Sequence, residues 1–196
     1  MTTETKSALI NNLSIRHGLL IAIVTVVLNA VFYIMDPVMQ FTYWWIGILV
    51  LVLAIVLLVV LGIDIRKKIG GYWSFGEAFK SEVIMGAILS VIGVAYNFII
   101  FKFVNPKLPE LANNALLENL NSRLSNANLS EDKIEEYTRT FKNGEFIAKM
   151  QPTLANELKA IAFSLILYVI IALIVAACIK KNAPRYAMPL DGDQSV

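Results

Sequence analysis

Residues 41–63 read FTYWWIGILVLVLAIVLLVVLGI, a run of 23 residues without one charged side chain. At a rise of about 1.5 Å per residue, a helix of that length crosses the roughly 30 Å hydrocarbon core of a bilayer. Three further charge-free runs flank it: Gly18 to Met35 (18 residues), Val83 to Phe101 (19) and Ala160 to Ile179 (20). The chain as a whole is 57% apolar and 16% charged over 196 residues, where soluble domains carry about 25% charge. In lipid every backbone N–H and C=O must be satisfied within the protein, so these runs are predicted to be helices. The short alternating strands of a membrane barrel are absent. The expectation is an all-α integral membrane four-helix bundle, one domain over 1–196, with spans at about 18–35, 41–63, 78–104 and 158–180. The first run reads as an uncleaved helix, because it passes into Phe32-Tyr33-Ile34-Met35 without a small-residue cleavage site.

The ends of the spans carry their own signals. Asp36-Pro37 and Asn105-Pro106 stop the first and third helices, since proline disfavours helix at the preceding residue. Gly70-Gly71 breaks the chain after Arg66-Lys67-Lys68. Ser74-Phe75-Gly76-Glu77 has the spacing of a capping box, which predicts that the third helix begins at about Phe75. Residues 105–157 are polar and form an insertion, expected as an external helical hairpin. Leu111, Leu116, Leu117, Leu120 and Leu124 mark its first helix. Ser130, with Glu131-Asp132 behind it, caps the second, Leu129 and Ile134 are placed for a hydrophobic staple, and Ile134, Tyr137 and Phe141 form its stripe.

Orientation follows from the basic residues. Lys6 and Arg16 precede the first span, Arg66, Lys67, Lys68 and Lys80 lie between the second and third, and Lys180, Lys181 and Arg185 follow the fourth. The 36–40 connection has none. Both termini are therefore expected in the cytoplasm and 105–157 outside it. Tyr43, Trp44 and Trp45 suit an outer aromatic belt, and Tyr72 and Trp73 an inner one.

Inside lipid, helices associate through small residues and a few polar contacts. Gly18, Ala22, Thr25 and Asn29 share a face of the first helix. Glu82, Gly86, Ser90, Gly93 and Asn97 share one of the third, and Ala160, Ser164, Tyr168, Ala172 and Ala176 one of the fourth. The second helix, almost wholly Leu, Val and Ile, should face lipid most. These stripes read either as packing seams or as a polar path through Asn29, Glu82, Ser90 and Asn97. On the seam reading, helices one and three pair through Gly86 and Gly93, with Asn29 bonded to Asn97. Glu82 is a functional candidate because an acid within a span is costly. It could equally stay hydrated near the helix start, or pair with Lys80 or Arg66-Lys67-Lys68.

Other chemistry is sparse. One histidine, His17, and one cysteine, Cys178, leave no ligand cluster for a zinc or iron site, and no cofactor is indicated. Cys178 reads as a buried filler. Net charge is +2, too little for a nucleic-acid surface. There is no G-x-x-x-x-G-K-[ST], H-E-x-x-H or G-x-S-x-G. Asn12-Leu13-Ser14 and Asn128-Leu129-Ser130 are sequons.

Gly71-Tyr72-Trp73-Ser74-Phe75-Gly76-Glu77-Ala78-Phe79-Lys80 resembles the signature of the DUF4199 family. Tyr96-Asn97-Phe98, Phe101-Lys102-Phe103-Val104-Asn105-Pro106 and Leu129-Ser130-Glu131-Asp132-Lys133-Ile134-Glu135-Glu136 are similar to it as well, and the likeness runs from about Arg16 to Lys181. Asn128 departs from it, standing where glycine is expected. The resemblance implies a small multi-pass bacterial protein of the cytoplasmic (inner) membrane. It transfers no catalytic or binding residue. The leading expectation is a non-enzymatic structural or accessory subunit, surrounded by lipid and bound to a membrane-protein partner or to its own copies. The alternative is a small transporter or channel-like protein with a polar path near Glu82 and Asn97.

Overall fold

The computed structural model describes residues 3–127 and 130–182. Helices run in the order α1 (Thr3–Met35), α2 (Met39–Thr42), α3 (Trp44–Lys68), α4 (Phe75–Ile99), α5 (Leu108–Asn126), α6 (Glu131–Lys142), α7 (Glu145–Met150) and α8 (Leu154–Ile179). A π-helical turn, Ile100–Val104, extends α4. No strand occurs among the described residues, and four helices, α1, α3, α4 with its π turn, and α8, are long and apolar enough to cross a membrane. The sequon and staple at Asn128-Leu129, and Arg185, lie outside the described residues.

α4 is the central helix. Its buried positions form two adjacent rows of i, i+4 spacing, Ser81, Met85, Leu89 and Glu82, Gly86, Ser90. Residues four apart stack on one helix face, so two rows allow α4 to pack on two sides at once. The first row meets α1: Ser81 bonds Ser14, and Gly18 lies against Met85 and Ile88. The second meets α8 and the end of α3, with Gly86 against Tyr168 and Glu82 against Gly62. α3 packs mainly on α1 and only lightly on α4 and α8.

The core gathers toward one end of the bundle, called here the basic end for its Arg66, Lys67, Lys68, Lys180 and Lys181. Ile10, Ile21, Leu58, Ile65, Met85, Val175 and Ile179 are buried there. Toward the other end, which carries α5–α7, α4 and α8 separate. An open cleft of about 370 Å³ lies between Val91, Phe98 and Lys102 on one side and Leu154, Glu157 and Ile161 on the other.

Several details differ from the sequence reading. α1 starts well before residue 18, because Ile10 and Ser14 pack on the basic end of α4 although polar neighbours mask them in the sequence. Phe41 and Thr42 belong to α2, and the second span begins after the extended residue Tyr43. Trp73 is no belt residue: it is 2% exposed. Cys178 is exposed rather than buried, and Ala160 is exposed, since the near end of α8 stands away from α4. In the insertion, α5 packs on α6 and α7. Ser130 stands at the start of α6 but its hydroxyl makes no capping bond. Tyr137 is exposed, and Thr138 takes its place on the inward face, between Ile134 and Phe141. The short α7, which follows the left-handed Gly144, had no sequence signal.

Candidate functional site

The connection between α3 and α4 builds the basic end. Gly70 and Gly71 both take positive φ, 106° and 86°, a conformation natural to glycine alone, and this turns the chain sharply after α3. Trp73 then pairs through its backbone with Lys181, just past α8: its N–H donates to Lys181 O at 3.0 Å, and Lys181 N–H returns to Trp73 O at 3.2 Å. Ser74 caps α4 in a full capping box. Its hydroxyl accepts from Glu77 N–H at 3.2 Å, while its own N–H donates to Glu77 Oε2 at 2.8 Å. Lys6 of α1 reaches the other Glu77 oxygen at 2.8 Å.

The last carbonyls of a helix lack partners within it. Here Ile179 O of α8 accepts from Arg66 Nη1 at 2.6 Å and from the buried indole Nε1 of Trp73 at 3.1 Å. A cation beside a helix C-terminus also complements its dipole. α3, the connection and α8 are thereby tied together at one atom.

Immediately inside this tie sits Glu82, 1% exposed. Its carboxylate fills the space left by the missing side chain of Gly62. A Cβ built on Gly62 would run into Glu82 Oε1, and would come within 2.7 Å of Ile179 Cδ1. Neither carboxylate oxygen has a hydrogen-bond partner among the described residues. Of the cations expected to pair with it, Arg66 is engaged on Ile179 O and Lys68 on Asp64 Oδ2 at 2.6 Å, and Lys67 is exposed. Lys80, on the opposite side of α4, is exposed. Neighbouring hydroxyls are likewise committed, with Ser14 and Ser81 2.7 Å apart and Ser14 also donating to Ile10 O. His17 Nε2 lies 3.3 Å from Asp64 Oδ2. Two turns into α4, the closure of α3 and α8 leaves Glu82 1% exposed and without an ion-pair partner among the described residues, not at a hydrated or paired position as one reading expected.

The other singled-out positions do not join Glu82. Gly86 faces Tyr168 of α8, not α1, its would-be Cβ 2.9 Å from Tyr168 Cβ. Ser90 is buried with its hydroxyl unpartnered. Gly93 has no atom within 4 Å of a would-be Cβ, because α4 and α8 have separated by that level. Asn97 is exposed. The Asn29 side-chain amide donates to Thr25 O of its own helix at 2.7 Å, Gln40 Nε2 donates to the Asn29 backbone carbonyl at 3.4 Å, and the expected Asn29–Asn97 bond is absent. Gly62 and the Ser14–Ser81 pair escaped the sequence reading, as did the shared bond of Arg66 and Trp73 to Ile179 O. A glycine interrupting the Leu/Val/Ile run of the second span was the signal for Gly62, since small residues mark close helix approach.

Four helices long and apolar enough to cross a membrane, with an exterior rich in exposed apolar side chains, define an all-α, four-span membrane protein. The chain belongs to the family described as Protein of unknown function (DUF4199), whose model matches residues 16–181. No curated protein and no solved structure matches it.

Proposed function

We propose that the chain is a structural or accessory subunit of a complex in the bacterial cytoplasmic (inner) membrane, with both termini cytoplasmic and 105–157 outside. It acts without catalytic chemistry of its own, through a membrane-protein partner or further copies of itself. The observation that carries this reading is the discontinuity of the polar residues. Between Glu82 and Asn97, α4 is closed against α1 at Gly18–Met85 and against α8 at Gly86–Tyr168, and Asn29 is satisfied within α1. A solute path along Asn29, Glu82, Ser90 and Asn97 is disfavoured by that packing. The orientation rests on the basic residues at one end of the bundle.

Two measurements test the proposal. Reporters placed after Gly71 and at the C-terminus should report cytoplasm, and one at Asn126 the outside; a cytoplasmic signal at Asn126 would overturn the orientation. Native-membrane purification with quantitative mass spectrometry should recover one partner, or a defined homo-oligomer, at fixed stoichiometry. Ion or solute flux through proteoliposomes holding the chain alone, lost in E82Q, would instead establish the transporter reading.

A further inference from the structure

An acid inside a membrane bundle usually meets a cation or a ring of donors, because an isolated buried charge costs several kcal/mol. Glu82 has neither among the described residues. The ionisable groups toward the same end on the elements packed around it are Lys6, Arg16 and His17 of α1, Asp64, Arg66, Lys67 and Lys68 of α3, and Lys180 and Lys181 past α8, with Tyr168 of α8 one turn further along. Glu77 and Lys80 lie on its own helix. His17 and Lys68 converge on Asp64, Lys6 on Glu77, Arg66 on a backbone carbonyl, and Lys181 lies 5.3 Å from the Tyr72 ring.

We propose that Glu82 is a proton-binding site of the bundle, filled and emptied from the basic end. The ligand follows from the oxygen supply. A metal cation such as calcium or magnesium takes about six or more oxygens in its shell. Here Glu82 supplies two, Ser81 Oγ is held by Ser14, and Ile179 O already accepts twice. A proton needs a single oxygen and no shell. It also removes the charge without moving a helix, and Gly62 leaves room for the carboxyl group in place.

The side of access follows from the packing. Glu82 lies seven residues from the start of α4, about 10 Å along the axis. Between it and the exposed Ser74–Glu77 cap stand the Trp73 ring and the Ile179 terminus, held by a few hydrogen bonds. In the other direction α4 runs a further 17 residues to Ile99, about 25 Å, past Met85 and Leu89 of the same apolar cluster that holds Trp73 and Ile179.

The test uses the full chain in oriented proteoliposomes and dicyclohexylcarbodiimide. A protonated carboxyl adds across the carbodiimide: the proton goes to nitrogen, the oxygen bonds to carbon, and an O-to-N acyl shift leaves a stable N-acylurea of the summed mass. Peptide mass mapping should find the adduct on Glu82 at neutral pH, with exposed Glu131 and Glu135 unmodified. Labelling should fall as pH is raised on the basic side and ignore pH on the other. The adduct should be lost in E82Q, retained in E82D, and unaffected by excess Na⁺ or Ca²⁺. An unlabelled Glu82 in folded protein would overturn the proposal, as would protection by either metal. Control of labelling from the far side, or Glu82-dependent proton leak, would overturn the one-sided access.

Discussion

Gly86 and Gly93 lie seven residues apart on one helix, and the bundle treats them differently. A methyl at Gly86 would sit 2.9 Å from Tyr168 Cβ and 3.2 Å from its Cγ. Comfortable carbon–carbon separation is about 3.5–4.0 Å. Tyr168 Cβ is fixed to the α8 backbone and cannot swing aside, so relief requires α8 to retreat by about 0.6 Å or more. Overpacking of this kind costs about 1–3 kcal/mol. At Gly93 the same methyl meets no atom within 4 Å. Both substitutions replace glycine by alanine in a helix interior, which favours the variant by about 0.8–1.0 kcal/mol. That contribution cancels between the two. Gly86→Ala should therefore be about 1–3 kcal/mol less stable than Gly93→Ala, and Gly93→Ala no less stable than the parent. Thermal or SDS-titrated unfolding in one detergent measures both. If the two variants agree within about 0.5 kcal/mol, the ordinary error of such comparisons, the assigned α4–α8 contact is wrong.

Ser74→Ala should lower stability by about 0.5–2 kcal/mol, read as a drop in melting temperature, because it removes the hydroxyl of the capping box; an unchanged melt would mean the box contributes nothing. Cysteines at positions 14 and 81, whose hydroxyl oxygens lie 2.7 Å apart, should crosslink on mild oxidation in a Cys178→Ser background, while cysteines at 29 and 97 should not. The reverse pattern would restore the Asn29–Asn97 seam. Trp73→Phe removes the indole bond to Ile179 O and also leaves a cavity at a buried site, so it should cost more than the about 0.5–1.5 kcal/mol of the hydrogen bond alone. Arg66 still holds that carbonyl, so a larger loss on combining Trp73→Phe with Arg66→Ala than the single losses sum to would show the two donors substitute for each other.

The spans were legible because membrane burial acts on a whole segment: a charge-free run of sufficient length can do little else. The start of α4 was legible because a capping box is local, its four residues making both bonds. Helix partners were legible in part: the expected pairing of the first and third helices holds, as α1 on α4, but through Ser14–Ser81 and Gly18–Met85 rather than Gly86 and Gly93. In water a polar face identifies the outside of a helix. Within lipid both inside and outside are apolar, so Val52, exposed, and Leu58, buried, look alike in sequence. Small residues marked where close approach was available but not which helix took it. Gly18 met α4 and Gly86 met α8, while Gly93, in the same stripe, met nothing because the helices had diverged. The basic half of α1 was hidden for a related reason: Ile10 and Ser14 are buried by the end of α4, a tertiary contact with no periodic signature among Asn11, Asn12 and Arg16.

Gly62 and Glu82 are each unfavourable by local rules. Glycine inside a helix gives up about 0.8–1.0 kcal/mol against alanine, and an unpartnered acid at membrane depth costs more. A bundle shaped for stability alone would place alanine at one position and an aliphatic residue at the other, filling the same volume. Instead the two occur as a complementary pair, the space left by one occupied by the carboxyl group of the other. Around them α4 is capped and the last carbonyl of α8 has two donors. Local choices that conflict with stability, set within surroundings that obey it, are where function is sought first, and the carbodiimide labelling of Glu82 is the test of it here. By that criterion the insertion-end asparagines, exposed or bonded within their own helix, are weaker candidates than Glu82, over which α3, α4 and α8 close.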